Sequence, residues 1–333
     1  MLKSLLLATA SVAPQGPAAE IVPCAECRPL TEPPCSYVIT QDAKGLITPT
    51  DPVIAWVRGK HNGGAIPIRH FLSGPRVIND TYGLFFFDPE GGYVAGYEKD
   101  YGYTFHGWRR GVMVVRHTDG TLFSALTGEA FAGPRSGKRL TRLPSIATTW
   151  EQWKLQHPES TAYDLFDGKR YPVVALPTEP ARGSVASRGK VDARLAGDVD
   201  VLGVCVGAAR MAFPLDGLPD RAVLQDKVGG WTVVVFWQGR TRTAAAYRAV
   251  AGDALLRFEP DAIAPRTAPF RDANTRTRWS IAGRGIDGLL RGRELTWVDS
   301  IQCRWFAWSA ENPRTAVHHP ATPSRKGPGE KGR

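Results

Sequence analysis

A stretch of 31 residues occurs twice in this chain, and no other feature of the sequence constrains the fold as strongly. Residues 128–158 align without a gap with residues 283–313, and ten positions are identical. Chance agreement would give roughly two. The identical pairs are Gly128/Gly283, Gly133/Gly288, Gly137/Gly292, Leu140/Leu295, Thr141/Thr296, Ser145/Ser300, Ile146/Ile301, Trp150/Trp305, Trp153/Trp308 and Pro158/Pro313. The repeat indicates an internal duplication, so we predict two similar halves packed together.

The repeat and the local composition divide the chain into six segments. The predicted segments are a signal peptide (1–19), a lead-in rich in Cys and Pro (20–50), a first repeat (51–177), a linker (178–198), a second repeat (199–319) and a disordered basic tail (320–333). The linker is rich in Gly, Pro, Ala and Arg, which is typical of a connection between packed units. The tail combines Gly, Pro and basic residues and cannot build a core.

Short apolar runs separated by turn residues predict strands through both repeats. Residues 51–57 and 231–237 have the length and composition of strands, and Asp119-Gly120 is a strong hairpin-turn signal. Residues 150–157 predict a short helix that is capped by Thr148-Thr149 and ended by Pro158. Strands and helices do not alternate regularly, which argues against a doubly wound parallel sheet. We therefore predict a mainly β protein with a few short helices, of the α+β class.

The charge of the chain is positive but dispersed. The formal net charge is +10 over 333 residues, while the 43% of hydrophobic and 22% of charged residues are ordinary for a globular protein. A nucleic-acid-binding protein usually concentrates its basic residues on one face or in one run. Here only the tail forms a basic cluster, which argues against nucleic acid as the partner. An anionic or sugar component of the cell envelope is the partner class that we keep.

The N-terminus has the order of a secretory signal. One Lys precedes a short apolar run, and small residues follow at 16–19, with cleavage predicted near Ala18 or Ala19. The alternative is an irregular cytoplasmic N-terminus. No segment approaches the eighteen apolar residues of a membrane span. We expect export to the periplasm or beyond.

Several motifs together resemble a known bacterial family, the domain of unknown function 3179 family. The motifs are Asp51-Pro-Val-Ile54, Val77-Ile-Asn-Asp80, Leu122-Phe-Ser-Ala-Leu-Thr-Gly-Glu-Ala-Phe-Ala-Gly-Pro134, Trp150-x-x-Trp153-x-x-x-His157-Pro158, Arg278-Trp-Ser-Ile-Ala-Gly-Arg-Gly285 and Leu295-Thr-Trp297. The resemblance runs from about Thr31 to His318. It implies an exported or envelope protein without a settled biochemical role.

The chain departs from that family at one place. Many members of the family carry Trp-His-Glu before the Ile-Val-Asn-Asp segment and Cys-Pro-Leu-Cys-Gly after it, a set that resembles a metal or redox site. Here Gly74-Pro-Arg76 and Leu84-Phe-Phe-Phe-Asp-Pro89 stand at these positions. Chemistry at that place in the family is therefore expected to be lost or replaced in this chain.

Three cysteines in the lead-in are the sharpest remaining chemical feature. Cys24 and Cys27 form a Cys-x-x-Cys pair, with Cys35 nearby. Two thiolates at this spacing can share a soft metal ion or cycle as a dithiol. In an exported protein the alternative is a structural disulfide among the three. The sequence requires no cofactor, and a soft metal here is the one that it allows.

An aromatic and basic stretch, residues 97–116, is the predicted ligand surface because the two repeats differ most there. The predicted ligand-binding residues are Tyr103, His106, Trp108, Arg109 and Arg110. Aromatic rings beside Arg side chains suit sugars and anionic polymers. The alternative is that these aromatic residues belong to the core.

Motifs of common enzyme classes are absent from the sequence. It contains no Gly-x-Ser-x-Gly elbow, phosphate-binding loop or dinucleotide fingerprint. We therefore predict a non-catalytic binding or scaffold module for an envelope component or polysaccharide. The competing hypothesis is a metal-dependent or thiol-redox enzyme that uses Cys24 and Cys27.

Overall fold

The computed structural model of the protein describes residues 20–24, 36–39, 47–58, 62–68, 75–79, 83–164 and 181–319. Several predictions fall on other residues and lie outside the described part. They are the signal peptide, Cys27, Cys35 and the basic tail.

Strands dominate the described chain, as the sequence predicted. The first half contains β1 (Ser36–Ile39), β2 (Pro52–Arg58), β3 (Asn62–Pro67), β4 (Arg76–Asn79), β5 (Leu84–Asp88), β6 (Tyr93–Tyr97), β7 (Tyr103–Arg109), β8 (Val112–His117), β9 (Leu122–Ser124), β10 (Ala130–Ala132), β11 (Ser145–Thr149), α1 (Trp150–Gln156) and β12 (Thr161–Asp164). The second half begins after α2 (Arg182–Ser187) and contains β13 (Asp200–Val206), β14 (Ala209–Pro214), β15 (Arg221–Val228), β16 (Trp231–Gln238), β17 (Thr243–Arg248), β18 (Val250–Ala251), β19 (Ala254–Leu255), β20 (Phe258–Pro260), β21 (Phe270–Asp272), β22 (Arg278–Trp279), β23 (Gly285–Asp287), β24 (Ser300–Arg304), α3 (Trp305–Glu311) and β25 (Ala316–Val317).

The sheets of the two halves follow the same order. In the first half β12-β3-β2-β11, β4-β5-β6 and β10-β9-β8-β7 are neighbours, and β1 extends the first sheet beside β12. In the second half the corresponding orders are β25-β14-β13-β24, β15-β16-β17 and β23-β22-β21-β20, with an additional β18-β19 ribbon. In both, the strand after the helix runs parallel to its neighbour, β12 to β3 and β25 to β14.

Matching glycines of the repeated stretch have matching conformations. Gly128 and Gly283 have φ angles of 72° and 73°, in the left-handed region that glycine adopts without steric cost. A Cβ atom would lie 2.5 Å from the ring of Tyr97 at Gly128 and 2.6 Å from the ring of Tyr247 at Gly283. Backbone conformation and the close approach of a tyrosine both explain why these positions are glycine.

Helix α1 begins and ends where the sequence predicted. The Thr149 hydroxyl accepts a hydrogen bond from the backbone N–H of Gln152 at 3.4 Å, which caps the helix. The backbone N–H of His157 donates to the carbonyl oxygen of Trp153 at 2.9 Å, and the corresponding bond of α3 joins Asn312 to Trp308. Among the described residues, no helix has the length and apolar character that crossing a membrane requires.

The predicted linker contains a helix that its composition does not suggest. Helix α2 packs against β7, and Gly183 and Ser184 are its buried residues. A Cβ atom at Gly183 would lie 2.8 Å from the indole ring of Trp108. The helix is therefore held by close packing of small residues and not by an apolar stripe.

The two halves exchange packing contacts. Strand β11 of the first half packs against β17 of the second, and β24 of the second packs against β6 of the first. The largest core cluster joins Tyr97 and Trp108 with Trp305 and Trp308. This cluster therefore spans both halves.

Candidate functional site

Two of the predicted ligand-binding aromatic residues lie in the core. Tyr103 and Trp108 are both 0% exposed. The ring of Tyr103 packs against Phe86 and Phe123, and its hydroxyl donates to Asp100 at 2.7 Å. Their rings have no free face on which a ligand could stack, so the core alternative describes these two side chains.

The backbone of Trp108 also pairs with the lead-in. Trp108 and Val22 exchange two hydrogen bonds, with N···O distances of 2.8 and 2.9 Å. The register of β7 and β8 shifts between Phe105 and Gly107, and His106 lies at this irregularity. His106 is half-buried, and burial followed by the charge of Arg116 lowers its pKa.

The two predicted arginines have different environments. The guanidinium of Arg109 is only 12% exposed, lies 3.4 Å from Glu311 and stacks 3.7 Å above the ring of Phe131. Arg109 therefore links the two halves. Arg110 is 52% exposed and lies 3.5 Å from Glu20. Of the two, Arg110 is the residue that a ligand can reach.

A cluster of ionisable groups beside Tyr103 is satisfied internally. The guanidinium of Arg135 lies 2.7 Å from Asp119 and 3.4 Å from Asp100. It also contacts the Nε2 atom of His117 at 3.1 Å. Each charged group here already has an opposite charge or a hydrogen-bonding partner, which explains the cluster without a ligand.

The cysteines do not form a metal site within the described chain. Cys24 is disulfide-bonded, and Cys27 and Cys35 lie outside the described residues. Cys205 and Cys303 are free thiols, and burial raises the pKa of both. Across the described ranges no group of three or more Cys, His, Asp or Glu side chains is arranged to hold a metal ion.

A groove that the sequence did not reveal lies between the first sheet and the second half. It has a volume of about 800 Å³, within the usual size of ligand sites. We call it the aromatic groove, and its main lining residues are Trp56, Trp153, His157, Tyr247, Arg284, Glu294 and Trp297.

The lining of the aromatic groove combines covered and accessible rings. Trp56, Trp153 and Tyr247 are at most 6% exposed and add only small areas to its surface. Trp297 and His157 are half-buried and offer more of their rings. The imidazole of His157 packs on the indole of Trp153, with ring centroids 4.1 Å apart.

Two nitrogen atoms at the groove lack hydrogen-bond partners in the described structure. They are Nε1 of Trp153 and Nε2 of His157, and both are buried. Burial, followed by the nearby charge of Arg284, lowers the pKa of His157 to about 4. The imidazole is therefore neutral near neutral pH and can donate or accept one hydrogen bond. Buried polar atoms without a partner are uncommon in folded proteins, and a small shift of the surrounding side chains would let a ligand satisfy these two.

The equivalent position in the other half is filled by ion pairs. At the constant offset of the repeat, Arg142 corresponds to Trp297 and Asp299 to Pro144. The guanidinium of Arg142 lies 3.2 Å from Asp299 and 4.5 Å above the ring of Tyr97. Arg139 reaches the same carboxylate at 3.0 Å. Charged side chains therefore occupy the position of Arg142, whereas the aromatic rings around the aligned position of Trp297 leave a groove open.

We expect the substitution His157→Asn to reduce the loss of stability in acid. The unfolded chain takes up a proton near the ordinary pKa of 6.5, whereas the folded state binds it only near 4. The contribution of His157 is therefore complete above about pH 6.5 and is lost as the pH falls through about 4. After a discount for partial solvent exposure, we expect the unmodified protein to lose about 1 kcal/mol more stability than His157→Asn between about pH 7 and about pH 4.5. Urea unfolding at both pH values measures it.

Asparagine is the appropriate replacement because Asn312 occupies the equivalent position after α3. The matched control is His319→Asn, since His319 is exposed and does not line the groove. If His157→Asn loses as much stability between the two pH values as the unmodified protein does, the role assigned to this imidazole is contradicted.

Comparison with known families identifies one relationship. The family described as "Protein of unknown function (DUF3179)" matches residues 110–315, which is more than half of the chain. No curated protein and no solved structure matches the chain significantly.

Proposed function

We propose that this chain, which belongs to the DUF3179 family of proteins of unknown function, is a non-catalytic binding module whose ligand occupies the aromatic groove. The observation behind the proposal is a groove of about 800 Å³ with four aromatic side chains and two unpartnered ring nitrogens. The aromatic groove replaces residues 97–116 as the proposed ligand surface. The burial of Tyr103 and Trp108 is the reason for that change.

The chemistry of the groove favours a carbohydrate over an apolar ligand. Aromatic faces pack against the apolar faces of sugar rings, and buried N–H groups find partners in hydroxyl oxygens. The rim carries the exposed side chains of Arg284, Glu294 and Glu159, so it presents both signs of charge. This mixture suits a largely neutral saccharide, such as a segment of an envelope polysaccharide.

The proposal includes the architecture and the location of the protein. Equal sheet orders and equal glycine conformations support two copies of one unit, at 51–177 and 199–319. The signal-like N-terminus supports export to the periplasm or beyond, where the proposed ligand occurs. The disulfide at Cys24 fits an oxidising compartment.

We expect Trp297→Ala to weaken saccharide binding about tenfold, because the half-buried indole supplies the most accessible stacking surface in the groove. Isothermal titration calorimetry with oligosaccharides of neutral hexoses and of uronic acids would measure the affinity. Thermal unfolding of each variant, recorded in parallel, separates loss of binding from loss of folding.

The matched control is Trp231→Ala. Trp231 is 39% exposed on β16 and is not part of the groove. This variant should bind as the unmodified protein does. Equal affinities of Trp297→Ala and Trp231→Ala, or no saccharide binding by the unmodified protein, would count against the proposal.

A further inference from the structure

We propose that a second cavity, remote from the aromatic groove, binds a phosphoryl group of a soluble ligand. This basic pocket has a volume of about 560 Å³ and is lined by Arg110, Arg188, Lys190, Asp192, Phe306 and Ser309. It lies where the β7–β8 hairpin loop, the segment after α2 and helix α3 meet. The proposal does not depend on the function of the aromatic groove.

Arg188 is held in place by its neighbours. The guanidinium carbon lies 3.8 Å above the ring of Phe306, and Nη2 lies 3.7 Å from Glu90, beyond hydrogen-bond distance. The Nε and Nη2 atoms are covered and have no hydrogen-bond partner among the described residues. The side chain is nevertheless 26% exposed. Because Nε and Nη2 are covered, Nη1 is the guanidinium nitrogen that a ligand can reach. A fixed guanidinium with a free Nη1 is prepared for an oxyanion.

The acidic groups around the pocket are already bound. Asp192 accepts hydrogen bonds from Nε of Arg194 at 3.0 Å and from Nη2 of Arg194 at 2.7 Å. Glu90 accepts a hydrogen bond from the backbone N–H of Ala181 at 2.8 Å, and Glu20 faces Arg110 at 3.5 Å. Lys190 is exposed and has no ion-pair partner within the described ranges. Glu20 and Glu90 offset Arg110 and Arg188 in part, Arg194 binds Asp192, and Lys190 leaves the pocket with a net positive charge.

Arg110 occupies a backbone position that does not favour arginine. Arg110 and Gly111 form the two-residue loop between β7 and β8, with φ angles of 54° and 79°. Such loops favour Asn, Asp or Gly at both positions because both need a positive φ. Strained residues concentrate at functional sites, and this one directs an exposed guanidinium to the rim of the pocket.

The number of cations determines the ligand class. Three cationic side chains, one from the β7–β8 loop and two from the segment after α2, exceed what one carboxylate can contact, whereas a phosphoryl group offers three oxygens and up to two negative charges. The ring of Phe306 leaves room for an apolar or planar part of the same ligand. The geometry therefore fits a phosphomonoester or a pyrophosphate group.

The test measures thermal unfolding of the full chain with and without inorganic pyrophosphate at constant ionic strength. At ten times its dissociation constant, pyrophosphate should raise the Tm of the unmodified protein by about 2 °C. Arg188→Gln and Lys190→Gln should each remove most of this rise. Lys190→Gln keeps the test valid if Arg188→Gln folds poorly, since the Lys190 side chain is exposed.

Arg110→Asn gives the sharper result, because two effects should move in opposite directions. Relief of the positive φ should raise the Tm without ligand by a few degrees, while the rise caused by pyrophosphate should fall. The matched control is Arg276→Asn, which relieves a φ of 64° at a 65% exposed arginine outside the pocket. It should raise the basal Tm and leave the pyrophosphate effect unchanged. No effect of pyrophosphate on the unmodified protein, or an equal effect on all variants, would overturn the proposal.

Discussion

Replacement of Gly203 by alanine is expected to lower the free energy of unfolding by about 3 kcal/mol or more. A Cβ atom at this position would lie 2.2 Å from the Cε3 atom of the Trp308 ring. That indole is 2% exposed and donates a hydrogen bond to the Thr315 hydroxyl at 2.9 Å, so it cannot move aside. Gly203 lies on β13, between β14 and β24 in the middle of its sheet. Urea or thermal unfolding would measure the change.

The control for this experiment is Gly189→Ala. A Cβ atom there would meet nothing within 4 Å, so we expect a change of at most about 0.5 kcal/mol in either direction. If Gly203→Ala unfolds at the same midpoint as Gly189→Ala, Trp308 is not packed against β13 as described.

The substitution Asp88→Ala is expected to cost about 3–5 kcal/mol. Asp88 is fully buried, and its Oδ1 atom accepts hydrogen bonds from the backbone N–H groups of Glu90 at 3.0 Å and Gly91 at 2.9 Å. Its Oδ2 atom accepts a third from the N–H of Met113 at 3.2 Å. Alanine would leave three buried N–H groups without an acceptor. Chemical denaturation near neutral pH measures the loss.

The cost of Asp88→Ala should also depend on pH. Burial raises the pKa of Asp88 from 3.8 to about 7 and outweighs the backbone hydrogen bonds, which lower the pKa. Because the pKa of Asp88 is higher in the folded state than in the unfolded state, proton binding stabilises the fold. This contribution is complete below about pH 3.8. It is lost as the pH rises through about 7. The difference in stability between the unmodified protein and Asp88→Ala should therefore shrink from about pH 5 to about pH 8.

An exposed aspartate provides the comparison. Asp253 lies in the turn between β18 and β19, and Asp253→Ala should change stability by less than about 0.5 kcal/mol at every pH. A difference for Asp88→Ala that is small or independent of pH would contradict the burial of this carboxyl group.

Local patterns were sufficient to predict the class of fold. Alternating apolar runs and turn residues predicted the strands, and the Thr cap and Pro158 predicted helix α1 because both act within a few residues. Helix α2 was missed because Gly183 and Ser184 are buried by close packing against β7 and not by an apolar stripe. Small residues of this kind give no periodic hydrophobic signal.

The candidate site could not be predicted from local patterns. Trp56, His157, Arg284 and Trp297 come from four separate segments that only tertiary packing brings together. Conversely, Tyr103 and Trp108 belong to a stretch whose composition suggests a ligand surface, yet packing against Phe86, Phe123 and Gly183 covers them. Aromatic side chains serve equally well in cores and in binding sites, so composition cannot separate the two roles. Alignment of the two repeats pairs His157 with Asn312, but it does not show that this imidazole lines a groove.

Under the proposed duplication, the packing of β11 on β17 and of β24 on β6 is reciprocal, as in a two-fold symmetric dimer. In a homodimer, any substitution appears at both related positions, so two related grooves must open or close together. A single chain removes this restriction, because each position is encoded separately. Here one position has Trp297 and the other Arg142, bound to Asp299. Under the proposed duplication, the covalent connection thus permits one aligned position to form the proposed ligand groove while the other holds the two halves together.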